Sequence, residues 1–354
     1  MRALTVEPGR ANSLRLDERP EPAPREGTLL VQAVALGICG TDREIIAAKY
    51  GAAPPGERRL VLGHESLGRV IEAPDGSGFS TGDLVAGVVR RPDPVPCPAC
   101  AGGEWDMCRN GRYTERGIKQ ADGYGAERFR LRPEFAIRID PALGVLGVLV
   151  EPASVLAKAW DHIERIGART RTWRPRSVLV TGAGPVGLLA ALMARQRGLE
   201  VHVFDRHARG PKPELVASLG GVYHYGGVEQ LPDLQPGVII ECTGAAAVVA
   251  EVVQRCGSDG IVCLAGISSG GRTLDFDIGG FNRQTVLRND VIFGTVNANR
   301  AHYEAAVAAL AKSDPAWLSR MISRRVPLER WAEAFEARPD DVKVVIDFGA
   351  GPAS

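Results

Sequence analysis

The stretch Ser177-Val178-Leu179-Val180-Thr181-Gly182-Ala183-Gly184-Pro185-Val186-Gly187 decides the fold of this chain. Its first five residues form a short, valine-rich apolar run, as a buried strand requires. Beyond the glycines, residues 188–194 continue as an apolar helix. Gly182 permits a tight turn and Gly184 lets backbone approach a pyrophosphate. Gly187, after Pro185 and Val186, lets the helix pack closely on the strand. The helix N-terminus then offers unpaired N–H groups and the positive end of its dipole to phosphates. By itself a Gly-x-Gly-x-x-Gly run is only a glycine-rich turn. With a strand before it and a helix after it, the run reads as a dinucleotide site.

Working outward, Asp205 stands 18 positions after Gly187, at the end of the next apolar run, residues 201–204. Its carboxylate is placed to accept both ribose hydroxyls of NAD. Arg206, with His207 and Arg209 close by, offers cations for the 2′-phosphate of NADP. A carboxylate and a cation side by side leave NAD or NADP open, with the carboxylate leaning toward NAD. Further short apolar strands are expected at 221–224, 238–242, 261–265 and 291–294, with helices at 212–219 and 246–255 between them. Thr243 and Gly266, each just past one of these strands, are counted with the cofactor site. The alternation predicts an α/β fold with a doubly wound parallel sheet.

Toward the N-terminus the character changes to strand and loop, with strands expected at 28–36, 61–73 and 83–89. Residues 90–107 read as a long loop rich in Pro, Gly and Cys, and such a loop needs a tie or a function. The pattern turns helical over 143–166, and the tail from 300 holds an Ala-rich helix at 303–312 and a last strand at 342–348. The 354 residues suggest about two domains. With 24% charged residues, 45% hydrophobic residues and a net charge of +1, the chain has no broad field for nucleic acid or anionic membrane. Of its 43 Lys and Arg only six are Lys, without any Arg cluster. No apolar run reads as long enough to span a bilayer, and the start reads as a strand rather than a signal peptide. Seven cysteines in a cytoplasmic-looking chain argue for metal binding or burial over disulfides.

The chemistry concentrates in Gly37-Ile38-Cys39-Gly40-Thr41-Asp42, Gly63-His64-Glu65 and Leu149-Val150-Glu151-Pro152. A cysteine and a histidine 25 residues apart suit an open zinc site, and Glu151 is the candidate third ligand. Three protein ligands leave one tetrahedral position for a substrate oxygen. Zinc beside a dinucleotide implies alcohol oxidation by hydride transfer.

With the cysteine loop and the late nucleotide domain, these motifs resemble the zinc-containing medium-chain dehydrogenases. Within them the chain is most similar to the glucose 1-dehydrogenases, through Ile38-Cys39-Gly40-Thr41-Asp42-Arg43-Glu44, Arg90-Arg91-Pro92, Thr114-Glu115-Arg116-Gly117-Ile118 and Gly294-Thr295-Val296-Asn297. The resemblance implies a GroES-like, β-rich catalytic domain over 1–165, a Rossmann domain over 166–299, and a return to the catalytic domain over 300–354. It implies Cys39, His64 and Glu151 at a catalytic zinc, with Glu65 exchanging in or orienting His64. Thr41 would take the hydroxyl proton as hydride leaves a zinc-held alkoxide for the nicotinamide.

Relatives with a structural zinc use four cysteines, the last after a seven-residue gap. Here Cys97, Cys100 and Cys108 match the last three positions, and the first falls on Pro94. Asp93 next door could supply an oxygen instead, and a metal-free loop is the alternative. Glu115 and Asn297 match positions that contact sugar hydroxyls, and Asn297 also borders the cofactor. Val89 stands where some relatives have an asparagine. The expected activity is oxidation of an aldose at C1, D-glucose foremost, by a cytoplasmic homo-oligomer (dimer or tetramer). The alternatives are a polyol or aminocyclitol dehydrogenase, a zinc-independent quinone reductase, or a silent NAD(P)-binding protein.

Overall fold

The computed structural model describes residues 1–230, 233–268, 270 and 273–349. Two compact units emerge, Met1–Ser154 with Asn297–Ser354, and Val155–Val296. The divisions fall at 154/155 and 296/297, where 165/166 and 299/300 were expected. The first lies inside the helix Val150–Gly167, a continuous rod whose first turn, with Glu151, belongs to the first unit.

In the second unit six strands form one parallel sheet. Its order is Val222–Tyr225, Glu200–Asp205, Ser177–Thr181, Val238–Glu241, Ile261–Leu264, Val291–Gly294. Numbered along the chain this is 3-2-1-4-5-6, with the reversal between Ser177–Thr181 and Val238–Glu241, the crevice where such sheets bind ligands. The helix Pro185–Gln196 buries every residue from 187 to 194. Leu179, Phe204, Ile239, Val252, Cys256 and Val262 share one core cluster. Strands covered on both faces read as unbroken apolar runs, which is why the sequence betrays them. The helix Ile278–Arg288 was not foreseen. It buries none of its residues, so no apolar stripe marks it, and its start is set by Asp277, whose side chain accepts the Gly280 N–H at 2.9 Å.

The first unit is built on the long strand Leu29–Ile38. One side of it pairs with Glu65–Glu72 and the other with the C-terminal strand Lys343–Asp347, both antiparallel. Leu84–Gly87 and Ala136–Arg138 extend the sheet beyond Glu65–Glu72, and Ile322–Pro327 extends it beyond Lys343–Asp347. The tail thus closes the sheet begun by the N-terminal residues, around a core that includes Leu29, Val31, Leu36, Val70, Phe129, Val344 and Ile346. Within the expected loop 90–107 lie a two-residue strand, Arg90–Arg91, and a short helix, Pro98–Ala101.

The absence of a long apolar run needs correcting. Pro141–Gly167 is helical over 27 residues and apolar enough to cross a membrane by length and composition. Its apolar window is 67% buried within the protein, and left-handed Gly144 interrupts it, so it reads as a core helix.

Candidate active site

Strand pairing assembles the first cluster. Gly37 stands opposite Glu65 in the sheet, which sets the end of Leu29–Ile38 beside the start of Glu65–Glu72. The ligand atoms of Cys39, His64 and Glu65 all lie within 4.8 Å of one another. Cys39 caps the helix Gly40–Ile46, its own N–H donating to Asp42 Oδ2 at 2.8 Å. Thr41 sits in the first turn of that helix. A Cβ at 37 would stand 2.1 Å from Glu65 Oε2, so glycine there lets Glu65 keep its position.

His64 and Asp42 are buried, and His64 Nδ1 lies 3.3 Å from Asp42 Oδ1 as a close charge contact, neither atom having an aligned hydrogen-bond partner among the described residues. Nε2 is therefore the nitrogen left for a metal. Glu65 was expected to orient His64, but that carboxylate is Asp42. Glu65 is instead clasped by Lys343, whose Nζ donates to Oε1 at 2.7 Å, to Oε2 at 2.5 Å and to the Ile38 carbonyl at 3.2 Å. Glu65 and Lys343 are 1% and 2% exposed, so this ion pair is dry.

The local field selects positive charge. Burial pushes the His64 imidazolium down, yet Asp42 and Cys39 outweigh it and hold the ring well above its ordinary value. Burial likewise opposes the Lys343 ammonium, and Glu65 and Cys39 raise it. Desolvation pushes the Glu151 carboxyl up to about 7, with His64 working against it and Glu65 with it. Glu151 is thus within electrostatic reach of His64 but stands outside the close group of three ligand atoms.

A second polar cluster lies in the same unit. Arg90–Arg91 pairs with Thr114–Arg116, setting Arg90 opposite Glu115. Arg90 donates to Glu115 Oε1 from Nε at 3.1 Å and from Nη2 at 2.9 Å, and Asn297 Nδ2 donates to the same oxygen at 2.7 Å. All three donations reach Oε1, so Oε2 remains to accept a ligand hydroxyl. Asn297 reaches this pair from a left-handed backbone, φ +62°, and its side-chain amide is held by Glu115. Arg90 also packs 3.7 Å from the Tyr113 ring centroid and donates to the Asp106 carbonyl at 3.0 Å. Among the described residues Glu115 pairs with neither Arg112 nor Arg116. Val89 is buried in a core with Ile45, Leu60 and Ile118, and takes no part in this cluster through its side chain.

In the second unit, a cavity of about 440 Å³ is lined by Gly182, Gly184, Asp205, Arg206, Lys212 and Thr243 among others. Gly182 is left-handed, φ +90°, and a Cβ on Gly187 would lie 1.7 Å from the Gly182 carbonyl oxygen, so both glycines are obligatory. Asp205 accepts the Ala183 N–H at 2.8 Å and Lys212 Nζ at 3.1 Å on Oδ2, and faces His207 Nδ1 at 2.9 Å through Oδ1. Gly266 is pressed against Gly244, a built Cβ lying 2.2 Å from that nitrogen, so the position admits no side chain. Cys242 also lines the cavity.

Sequence reasoning missed Glu241. This fully buried carboxylate accepts the Thr243 N–H at 2.7 Å and the Gly244 N–H at 3.1 Å, tying down the turn at the sheet's reversal. It ends an apolar strand, and nothing in its spacing marks it.

The sulfurs of Cys97, Cys100 and Cys108 lie within 4.8 Å of one another. The Arg109 N–H points at Cys97 Sγ from 3.4 Å, and this and neighbouring amides lower the Cys97 thiol to about 6. Burial instead raises Cys100 to about 11.

The model of the alcohol dehydrogenase GroES-like domain matches residues 25–141, and that of the glucose dehydrogenase C-terminus matches residues 144–348. A glucose 1-dehydrogenase from Methanocella arvoryzae is 40% identical over 99% of this chain and 100% of its own. The chain belongs to the glucose 1-dehydrogenase family. A second family member, from Thermoproteus tenax, is 37% identical over 98% of this chain and 99% of its own. Among solved structures, Haloferax mediterranei glucose dehydrogenase in complex with NADP, Zn and gluconolactone superposes with a TM-score of 0.92. It is 32% identical and covers 99% of this chain and 100% of that one.

The donor sets can be judged against the zinc of this family. One thiol, one imidazole with its Nδ1 held by a carboxylate, and adjacent acidic groups suit a zinc site. The three-cysteine loop also fits a thiophilic metal, with one correction. Asp93 stands outside the close group of three sulfurs, its Oδ1 accepting the Val95 N–H at 2.8 Å and its Oδ2 accepting from Arg112 Nε at 3.1 Å.

Proposed function

We propose that this chain is a zinc-dependent NAD(P) glucose 1-dehydrogenase that oxidises D-glucose at C1 to D-glucono-1,5-lactone. The observation that carries the reading is the Arg90–Glu115–Asn297 cluster, a buried carboxylate with one oxygen engaged and one open, in the unit that also holds Cys39 and His64. A carboxylate and an amide together suit vicinal hydroxyls, and a site of this kind discriminates strongly against deoxy analogues. When bound, zinc would supply Lewis acidity toward the reacting hydroxyl and NAD(P) would supply the hydride acceptor. The chain's own residues do the rest. Cys39, His64 and Glu151 are the metal-binding set, Asp42 fixes the His64 ring, and Thr41 takes the hydroxyl proton. The experiment is an initial-rate assay of NAD and NADP reduction with D-glucose, D-galactose, D-xylose and sorbitol, before and after chelator treatment. Chelator-sensitive aldose oxidation is the expected result. Turnover of sorbitol alone would replace the sugar reading with a polyol dehydrogenase.

Glu115→Gln keeps the shape and removes the charge. Charge-assisted hydrogen bonds contribute about 1.5–3 kcal/mol, so the glucose KM should rise about 10- to 100-fold with the cofactor KM unchanged. A glucose KM within twofold of the parent would remove Glu115 from the sugar site.

For the cofactor, Asp205 is the acceptor nearest the Gly182 turn and Arg206 the cation beside it. Asp205→Ala should weaken NAD about tenfold or more, the value of a lost charged hydrogen bond, and NADP much less. Equal loss of both would show that Asp205 only braces Ala183 and Lys212.

We also infer a cytoplasmic homo-oligomer, dimer or tetramer. The edge strand Val291–Gly294 is unpaired on one side among the described residues. The preceding helix exposes Ile278, Val286 and Leu287 at 66%, 65% and 67%, a liability that pairing with a second copy removes. Light scattering on a sizing column should give a dimer or tetramer at micromolar concentration; a monomer there would sink the inference. All seven cysteines are free, as in a reducing compartment, and cell fractionation checks that placement.

A further inference from the structure

Arg116 follows Glu115 on the strand Thr114–Arg116 and points elsewhere, into a small cavity of about 80 Å³ that it lines with Arg19, Glu26, Asp122 and Arg128. It is only 9% exposed. Among the described residues its Nε has no hydrogen-bond partner, and Nη2 has only a long contact, 3.5 Å, to the Gly123 carbonyl. The Tyr124 ring lies 4.9 Å away and covers one face of the guanidinium. Burial pushes Arg116 down and Asp122 up, as in a poorly solvated place.

The acids along the cavity are already engaged. Glu21 is paired with Arg128, and Glu26 accepts the Ala23 N–H at 2.9 Å. Asp122 accepts the Val61 N–H at 2.8 Å and lies 3.7 Å from Arg19. None of them forms an ion pair with Arg116. Every carboxylate around the cavity has a donor, while among the described residues the buried guanidinium has no acceptor beyond the long Gly123 contact. A buried charge without a partner is costly, and a guanidinium fork matches the oxygens of a phosphate. The cavity has room for several waters on the scale of about 10–15 Å³ each, or for one phosphate.

We propose that this cavity is a binding site for a small oxyanion of phosphate type, held by Arg116 and separate from the sugar and nucleotide sites. It takes the anion whole, without chemistry, and secures the strand that presents Glu115. The test is calorimetric titration of inorganic phosphate into zinc-loaded enzyme saturated with NADP, at constant ionic strength and chloride. The expected result is one saturable phosphate site per chain that weakens tenfold or more in Arg116→Met and tightens several-fold in Glu26→Gln, which removes an opposing charge at the rim. Saturable binding unchanged by either substitution would place the anion elsewhere. No saturable binding would leave water as the occupant. Either result overturns the proposal. Glu26 is exposed and glutamine can keep its bond to Ala23, so this variant decides the matter even if Arg116→Met fails to fold.

Discussion

Cys39→Ala should lower kcat by three orders of magnitude or more and leave NAD(P) binding within about twofold of the parent. The size follows from the role. Polarising a reacting oxygen is worth several kcal/mol, and about 4 kcal/mol corresponds to a thousandfold in rate. The separation of effects follows from the fold. Cys39 caps a helix of the first unit, whereas the cavity with Gly182, Asp205 and Thr243 belongs wholly to the second. Zinc content, kcat and cofactor affinity measured on one preparation check it. A variant that kept zinc and turned over glucose at the parent rate would remove Cys39 from the metal, and with it the mechanism.

Lys343→Met should produce the largest loss of stability of any single change at the site, about 3–5 kcal/mol. Removing one partner of a dry ion pair leaves the other charge buried and uncompensated, and here the charge left behind is Glu65, 1% exposed. Replacing both partners avoids that penalty, so Glu65→Leu with Lys343→Met should recover most of the loss. Urea unfolding of the four proteins of this cycle measures the coupling. If Lys343→Met costs as much in the Glu65→Leu background as alone, the ammonium is not there to neutralise Glu65. Lys343 also determines where Glu65 points. A carboxylate freed from it lies beside Cys39 and His64, so the variant's metal affinity reports whether Glu65 is a ligand in waiting or only a neighbour.

Much of this protein is legible without coordinates, and the reason differs from part to part. The nucleotide unit announces itself because a parallel sheet is covered on both faces, which forces continuous apolar runs such as 177–181 and 261–264. Its turn admits no side chain at Gly187. The unforeseen helix Ile278–Arg288 has neither property. Cys39 and His64 stand out because a thiol and an imidazole have few reasons to recur within such glycine-framed motifs. Cys97, Cys100 and Cys108 are drawn together as their spacing suggests, but Asp93 illustrates the limit. Adjacency made it a candidate fourth ligand, but in the fold its carboxylate stands outside the sulfur group and accepts from Val95 and Arg112.

What the amino-acid order determined by itself was local. It set the turn geometry at the glycines, the periods that separate strand from helix, and the few side chains whose chemistry admits a metal. Only the tertiary structure decided which charges meet. Asp42 rather than Glu65 faces His64, Lys343 crosses 278 residues of sequence to hold Glu65, and Asn297 crosses 182 to reach Glu115. Charge pairing depends on distance and on the exclusion of water. Neither is encoded at a fixed spacing, and both exist only once strands distant in sequence, such as Leu29–Ile38 and Lys343–Asp347, have paired.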